Sequence, residues 1–173
     1  MTQRIVPDPL AGAYAPITWG GAVIGASLAA ATYIIWAGPS ALGTSNAGTL
    51  TSGNSVGAAF YLDPAQWTVS GLTTKLRLHA YCHVGATAPA VTLTVGLYPV
   101  GSFTNTAIQT AGTVVSGSTV AFASPAINSH AQNVSTDVNV PAAGFFFIGV
   151  AISGTTAASS ATQFGVSLQR RWV

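Results

Sequence analysis

Charge is what this sequence has least of. Glutamate is absent and lysine occurs once; the acids are Asp8, Asp63 and Asp137, and the bases are Arg4, Lys75, Arg77, Arg170 and Arg171. Charged residues make up 5 % of the chain, where soluble proteins usually carry roughly a quarter. A disordered chain is excluded, because disorder goes with low hydrophobicity and high charge, and here 49 % of residues are hydrophobic. The formal charge of +2 comes from scattered bases, not from the stripe that nucleic acid requires, so no nucleic-acid partner is expected. Without Glu, and with Lys75 alone, the residues that normally populate exposed helix faces are missing, while Thr, Val, Ser and Gly abound; helix is disfavoured. The single cysteine, Cys82, excludes an internal disulfide, so the fold rests on packing and on assembly. There is no Gly-x-Ser-x-Gly elbow, no phosphate-binding loop and no Cys/His pair with an orienting group. Neither an enzyme nor a cofactor is expected.

What is there fits one domain with an arm, since 173 residues are few for two cores. No secretory signal is evident, because Arg4 is followed by Pro7, Asp8 and Pro9 rather than by an apolar run. The stretch Trp19 to Trp36 is uncharged, apolar and about as long as a membrane-spanning helix, with Trp at both borders. It also holds Gly20, Gly21 and Gly25, has no basic flank, and lies in a chain where uncharged windows are common. A strand near Thr32 to Trp36, preceded by a short helix or buried arm, is the favoured reading, with no membrane insertion.

Residues 1–20, with Pro7, Pro9 and Pro16, suit an extended arm that reaches a neighbour, and residues 38–57 read as loops with a weak strand signal at Thr49 to Thr51. The segment Ala58 to Trp67 reads as a strand closed by Asp63-Pro64. The clearest strand is Thr74 to Val84, where Leu76, Leu78, Ala80, Cys82 and Val84 alternate with Lys75, Arg77, His79, Tyr81 and His83. After a turn at Gly85 to Pro89 the alternation resumes from Val91 to Tyr98, and the two strands read as an antiparallel pair. Further strands are expected over Ala111 to Val115, Ser118 to Ala123, Val134 to Val140, Phe145 to Ile152 and Gln163 to Trp172. The expected fold is an all-β antiparallel sandwich of jelly-roll type over 58–173, with residues 1–57 forming an N-terminal arm and anchoring segment with some strand.

Several constellations invite chemistry. His79, Cys82 and His83 lie close together, but strand alternation sends Cys82 to one face and the histidines to the other, so no metal site is expected. Asp63 and Asp137 resemble a glycosidase pair only in number; a turn position before Pro64 and a strand's polar face account for them. Asn133-Val-Ser135 matches a glycosylation acceptor, a pattern common by chance. Arg170-Arg171-Trp172 reads as a last strand whose cations meet solvent or a carboxylate. Tyr61, Trp67, Tyr81 and Tyr98 are candidates for a glycan-binding surface, with core or interface anchors the favoured reading. Phe145, Phe146 and Phe147 open a run that is apolar on both faces, which implies either a central covered strand or a subunit interface.

The blocks Phe60-Tyr-Leu-Asp-Pro-Ala-Gln-Trp67, Gly71-Leu-Thr-Thr-Lys-Leu-Arg-Leu78, Ala86 to Val100 and Gly117-Ser-Thr-Val-Ala-Phe122, in that order, resemble a domain of virion proteins from tailed phages that infect actinobacteria. Those proteins are usually labelled minor tail or minor structural proteins. The resemblance covers roughly residues 58–173. It implies a β-sandwich in a virion appendage, a trimer, and a role in attachment or host contact, without catalytic residues. The expected partners are copies of the chain, other virion proteins and host-surface glycan. A capsid decoration protein, a carbohydrate-binding module and, last, a small membrane protein are the alternatives.

Overall fold

The computed structural model describes residues 14–24, 27–34, 47–50, 59–67, 71–85, 88–103, 108–156 and 162–173. Twelve strands follow in chain order: β1 (Ala15–Ile24), β2 (Thr32–Ile34), β3 (Ala47–Leu50), β4 (Phe60–Leu62), β5 (Thr74–Val84), β6 (Leu93–Phe103), β7 (Ile108–Ala111), β8 (Val120–Phe122), β9 (His130–Val134), β10 (Val138–Asn139), β11 (Gly144–Ile152) and β12 (Thr162–Trp172). Among the described residues the only helix is a short 3-10 segment, Pro64–Trp67, whose first turn is capped by Asp63: its Oδ1 accepts from the Ala65 N–H at 2.9 Å.

The strands form an all-β sandwich. One sheet runs β10-β5-β12-β1-β3, with β9 sharing the β10 edge of β5; the other runs β2-β11-β6-β7, with β4 beside β2 on β11 and β8 beside β7 on β6. Pairing is antiparallel throughout except for β1 with β3. The core between the sheets follows from the period of two. Leu76, Leu78, Ala80, Cys82 and Val84 of β5 are buried, and so are Phe164, Val166 and Leu168 beside them on β12. Across the sandwich they join one cluster with Leu93, Val95 and Leu97 of β6 and Phe146, Ile148 and Val150 of β11. Leu28, fully buried, plugs one end of the sandwich: its N–H donates to Thr156 Oγ1 at 2.9 Å and its carbonyl accepts from Thr156 N.

Two buried serines repair the ladders where edge strands break. Between β9 and β10, Ser135 Oγ accepts the Leu78 N–H at 2.8 Å while Ser135 N donates to the Leu78 carbonyl. Between β7 and β8, Ser118 Oγ accepts the Leu97 N–H and donates to the Val115 carbonyl. Each keeps a buried backbone donor satisfied where no strand partner reaches it.

Three expectations are corrected. β5 and β6 are not a pair; they lie in different sheets, and the chain between them crosses the sandwich. Alternation shows that a strand has a buried face but does not name its neighbour, and both edges of β5 are taken, by β12 and by β9 with β10. Second, β1 and β2 are strands of the two sheets, so the sandwich includes residues ahead of 58, and residues 15–20 are paired strand rather than arm. Residues 1–13 lie outside the described residues. Third, Ala111 to Val115 contributes only its first residue to a strand; β7 ends at Ala111. Within Trp19 to Trp36, residues 19–24 and 32–34 are strand, and among the described residues no helix is long and apolar enough to cross a membrane.

Candidate assembly surfaces

The charges of the described residues gather at one end of the sandwich. Register places Lys75 opposite Arg171 and Asn139, Arg77 opposite Gln169, and Arg170 between Leu76 and Ala15. Asp137 immediately precedes β10, and Asp63 introduces the Pro64–Trp67 helix, which shares a concavity of about 290 Å³ with Leu72, Thr74, Asn139 and Val140. Both described chain ends are here as well: Tyr14 leads into β1, and Val173 exchanges backbone hydrogen bonds with Thr73. At the opposite end, segments 27–31, 88–92, 123–129 and 153–156 carry no charged residue. Ala90, Ser124 and Asn128 adopt positive φ there, a conformation unfavourable for residues with a Cβ and one that recurs at ligand clamps.

A compact polar knot ties the N-terminal strand down at the charged end. The Tyr14 hydroxyl donates to Asp137 Oδ1 at 2.6 Å, and Arg171 donates to Asp137 Oδ2 from Nε at 2.8 Å and from its terminal nitrogen. The Arg77 guanidinium lies 3.2 Å from the Tyr14 ring centre and that of Arg171 4.9 Å, so two cations lie against the ring. Burial pushes the Asp137 carboxyl up, but the hydrogen bonds from Tyr14 and Arg171 and the charges of Arg171 and Arg77 outweigh it and hold it below the usual carboxylate value. The bond to Asp137 is in turn the main reason the Tyr14 phenol is raised. The carboxylate expected for the C-terminal arginines is therefore Asp137. Asp63 caps a helix and Asp137 holds this knot, so each carboxylate has a structural task.

The four candidate aromatics do not share one surface. Tyr61 is 52 % exposed on the outer face of the second sheet, edge-on to Phe145 across β4 and β11, with ring centres 5.2 Å apart. Tyr98, on the same face, is buried and stacks on Phe147 at 5.5 Å, with Val100 and Val114 packed around the pair. It is closed to a ligand and takes the core place that is one of the readings for these aromatics. Tyr81 is 40 % exposed on the outer face of the first sheet. Trp67 is half-buried against the core at the charged end, with the Arg170 guanidinium 5.9 Å from its ring centre.

Of the three phenylalanines proposed for an interface, Phe145 is presented, Phe146 is in the core, and Phe147 is covered on the outer face. Cross-strand glycines make the covering possible. Gly149 faces Gly96 across β11 and β6, and a Cβ on Gly96 would stand 2.8 Å from Val114 Cγ2. Likewise the Tyr81 ring lies over Gly165, where a Cβ would stand 2.0 Å from Tyr81 Cε1. Cys82 points into the core, away from His79 and His83, and burial pushes its thiol up to about 12. Among the described residues no group of three or more His, Cys, Asp or Glu is placed to hold a metal ion.

Comparison with protein-family models, with curated proteins and with solved structures finds no match for this chain.

Proposed function

We propose that this chain is a non-enzymatic structural subunit of a bacteriophage particle, a minor tail, fibre or attachment component that works as a homotrimer. The observation that carries the reading is the polarity of the sandwich. Among the described residues, every charge and both described chain ends lie at one end, and uncharged loops form the other. An end that holds the tether and the ion pairs suits docking on the particle; an uncharged tip suits contact with a host-surface glycan. Three further features support it. The ordered sequence blocks resemble virion proteins of actinobacteria-infecting tailed phages. The two sheets interleave early and late strands, with β12 between β1 and β5, and β11 between β2 and β6, as a jelly roll does. The edge-on pair of Tyr61 and Phe145 presents uncharged aromatic surface of the kind found at subunit contacts. A capsid decoration protein uses the same physics, and position on the particle separates the two.

The first experiment is light scattering of the purified chain after gel filtration without detergent, beside mass spectrometry of density-purified particles from a host that carries the gene. A trimer, and the chain found in the particles, is expected. A chain absent from the particles refutes the virion reading, and a monomer at all concentrations refutes self-assembly. Tyr81 favours one second reading, a module for cell-wall glycan, because its ring lies against Gly165 and is 40 % exposed. Retention on cell-wall glycan that is lost in Tyr81→Ala would support that reading.

A further inference from the structure

Strand pairing creates a histidine pair that the order of residues along the chain conceals. His83 near the end of β5 stands opposite His130 at the start of β9, with ring centres 6.4 Å apart. The Val84 N–H donates to the Ser129 carbonyl and the Ser135 N–H to the Leu78 carbonyl, so the even positions of β5 form the hydrogen-bonded pairs. The odd positions, His83 with His130 among them, are then the non-hydrogen-bonded pairs, where facing side chains stand closest. Both imidazoles are on the outer face of the first sheet, half-buried for His83 and exposed for His130.

We propose that His83 and His130 form a two-imidazole site for a borderline divalent cation of the zinc, nickel and copper class. Imidazole nitrogen suits these ions, and each binds it at roughly 2.0–2.1 Å. Two rings sharing an ion have centres about 5–6 Å apart by that geometry. The present separation closes by side-chain rotation at fixed backbone, which the exposed His130 can make. Tyr81 lies beside His130 at 5.5 Å, Gln163 is opposite His83 on β12, and Gln132 follows on β9, so among the described residues no charged side chain faces the pair. Water completes the shell. His79 takes no part: it faces Val134, four residues back along β5, roughly 13 Å at the strand rise. A bound ion ties the edge strand β9 to β5, so the site is a clasp on an otherwise exposed edge.

The test is calorimetric titration of the purified full chain with zinc chloride, then nickel chloride, repeated on His83→Gln, His130→Gln, the double variant and His79→Gln. Saturable uptake of one ion is expected in the wild type and in His79→Gln, and each single variant at the pair should weaken it by roughly tenfold or more, because the second imidazole acts at high effective concentration. Zinc should raise the melting temperature of the wild type and not of the double variant. Should a variant fail to fold, the wild type alone decides: zinc should shift the imidazole proton resonances of two of its three histidines. No saturable uptake, equal uptake by the double variant, or a shift of all three histidines alike would overturn the proposal.

Discussion

Replacing Phe145, Phe146 and Phe147 by alanine one at a time should give very different costs from three adjacent, identical residues. Phe147 is 2 % exposed and stacks on Tyr98. Removing such a ring costs about 3–5 kcal/mol through lost burial and the cavity left behind, which includes a stacking share of about 0.5–1.5 kcal/mol. Phe145 is 50 % exposed. A ring buries about 200 Å² at most, so half of it at about 25 cal/mol per Å² gives about 2.5 kcal/mol. A compact unfolded state trims this toward 1.5 kcal/mol, roughly. For a chain of this size 1 kcal/mol moves the melting temperature by about 2–4 °C, so Phe147→Ala should lower it by about 12 °C and Phe145→Ala by about 4 °C. Phe146, in the core at 5 % exposed, should behave like Phe147. Urea unfolding gives the free energies, with light scattering on the same samples. Phe145→Ala should instead weaken self-association. Equal losses at 145 and 147 in a monomeric sample, or a loss at 147 below about 1 kcal/mol, would refute the claim that the outer face of the second sheet is dry around Tyr98.

Ser135→Ala should cost roughly 1–3 kcal/mol, because it strips the buried Leu78 N–H of its acceptor; urea midpoints beside those of the exposed control Ser116→Ala check it. Asp137 is held below its ordinary value, so its contribution is complete above a pH of about 4 and is lost as the pH falls through the lower folded value. The stability gap between wild type and Asp137→Asn should therefore close on acidification, and it should stay below about 1 kcal/mol because the pair is open to solvent; a gap that widens in acid contradicts the knot. Cys82 should react with a thiol reagent at neutral pH only as fast as the chain opens, since its thiol is buried and pushed up to about 12. Rapid labelling of the native chain would place it elsewhere.

Much of this fold was written in alternation. The strand from Thr74 to Val84 begins and ends where the period of two does, because its polar and apolar residues are fully sorted between faces. The run at Phe145 posed a choice that alternation cannot settle. The structure makes it an interior strand, flanked by β6 on one side and by β2 and β4 on the other, with Phe147 covered from outside through Tyr98 and Val114. Pairing was not legible. Nothing local says that the chain leaves one sheet after Val84 and enters the other before Leu93, and alternation alone pairs β5 with β6. The same blindness hid His130, which lies far along the chain from His83 and meets it only through the β5 and β9 register. It also hid the Tyr14 knot, whose tyrosine and carboxylate come from opposite ends of the sequence. The apolar window from Trp19 concealed strand β1 for a related reason. Hydropathy averages over a segment, whereas small residues such as Gly21 and Ala22 sit equally well in a strand paired on both edges.

Ala15 and Arg170 are partners across β1 and β12, so the beginning and the finish of the described chain lie side by side. A short linker would join them, and a cut in the uncharged loop 123–129 would release new ends about 36 Å away, the length of an eleven-residue strand. Such a circular permutant would keep both sheets while moving the chain ends to the other end of the sandwich, and a peptide grafted at the original ends would leave the far tip clear.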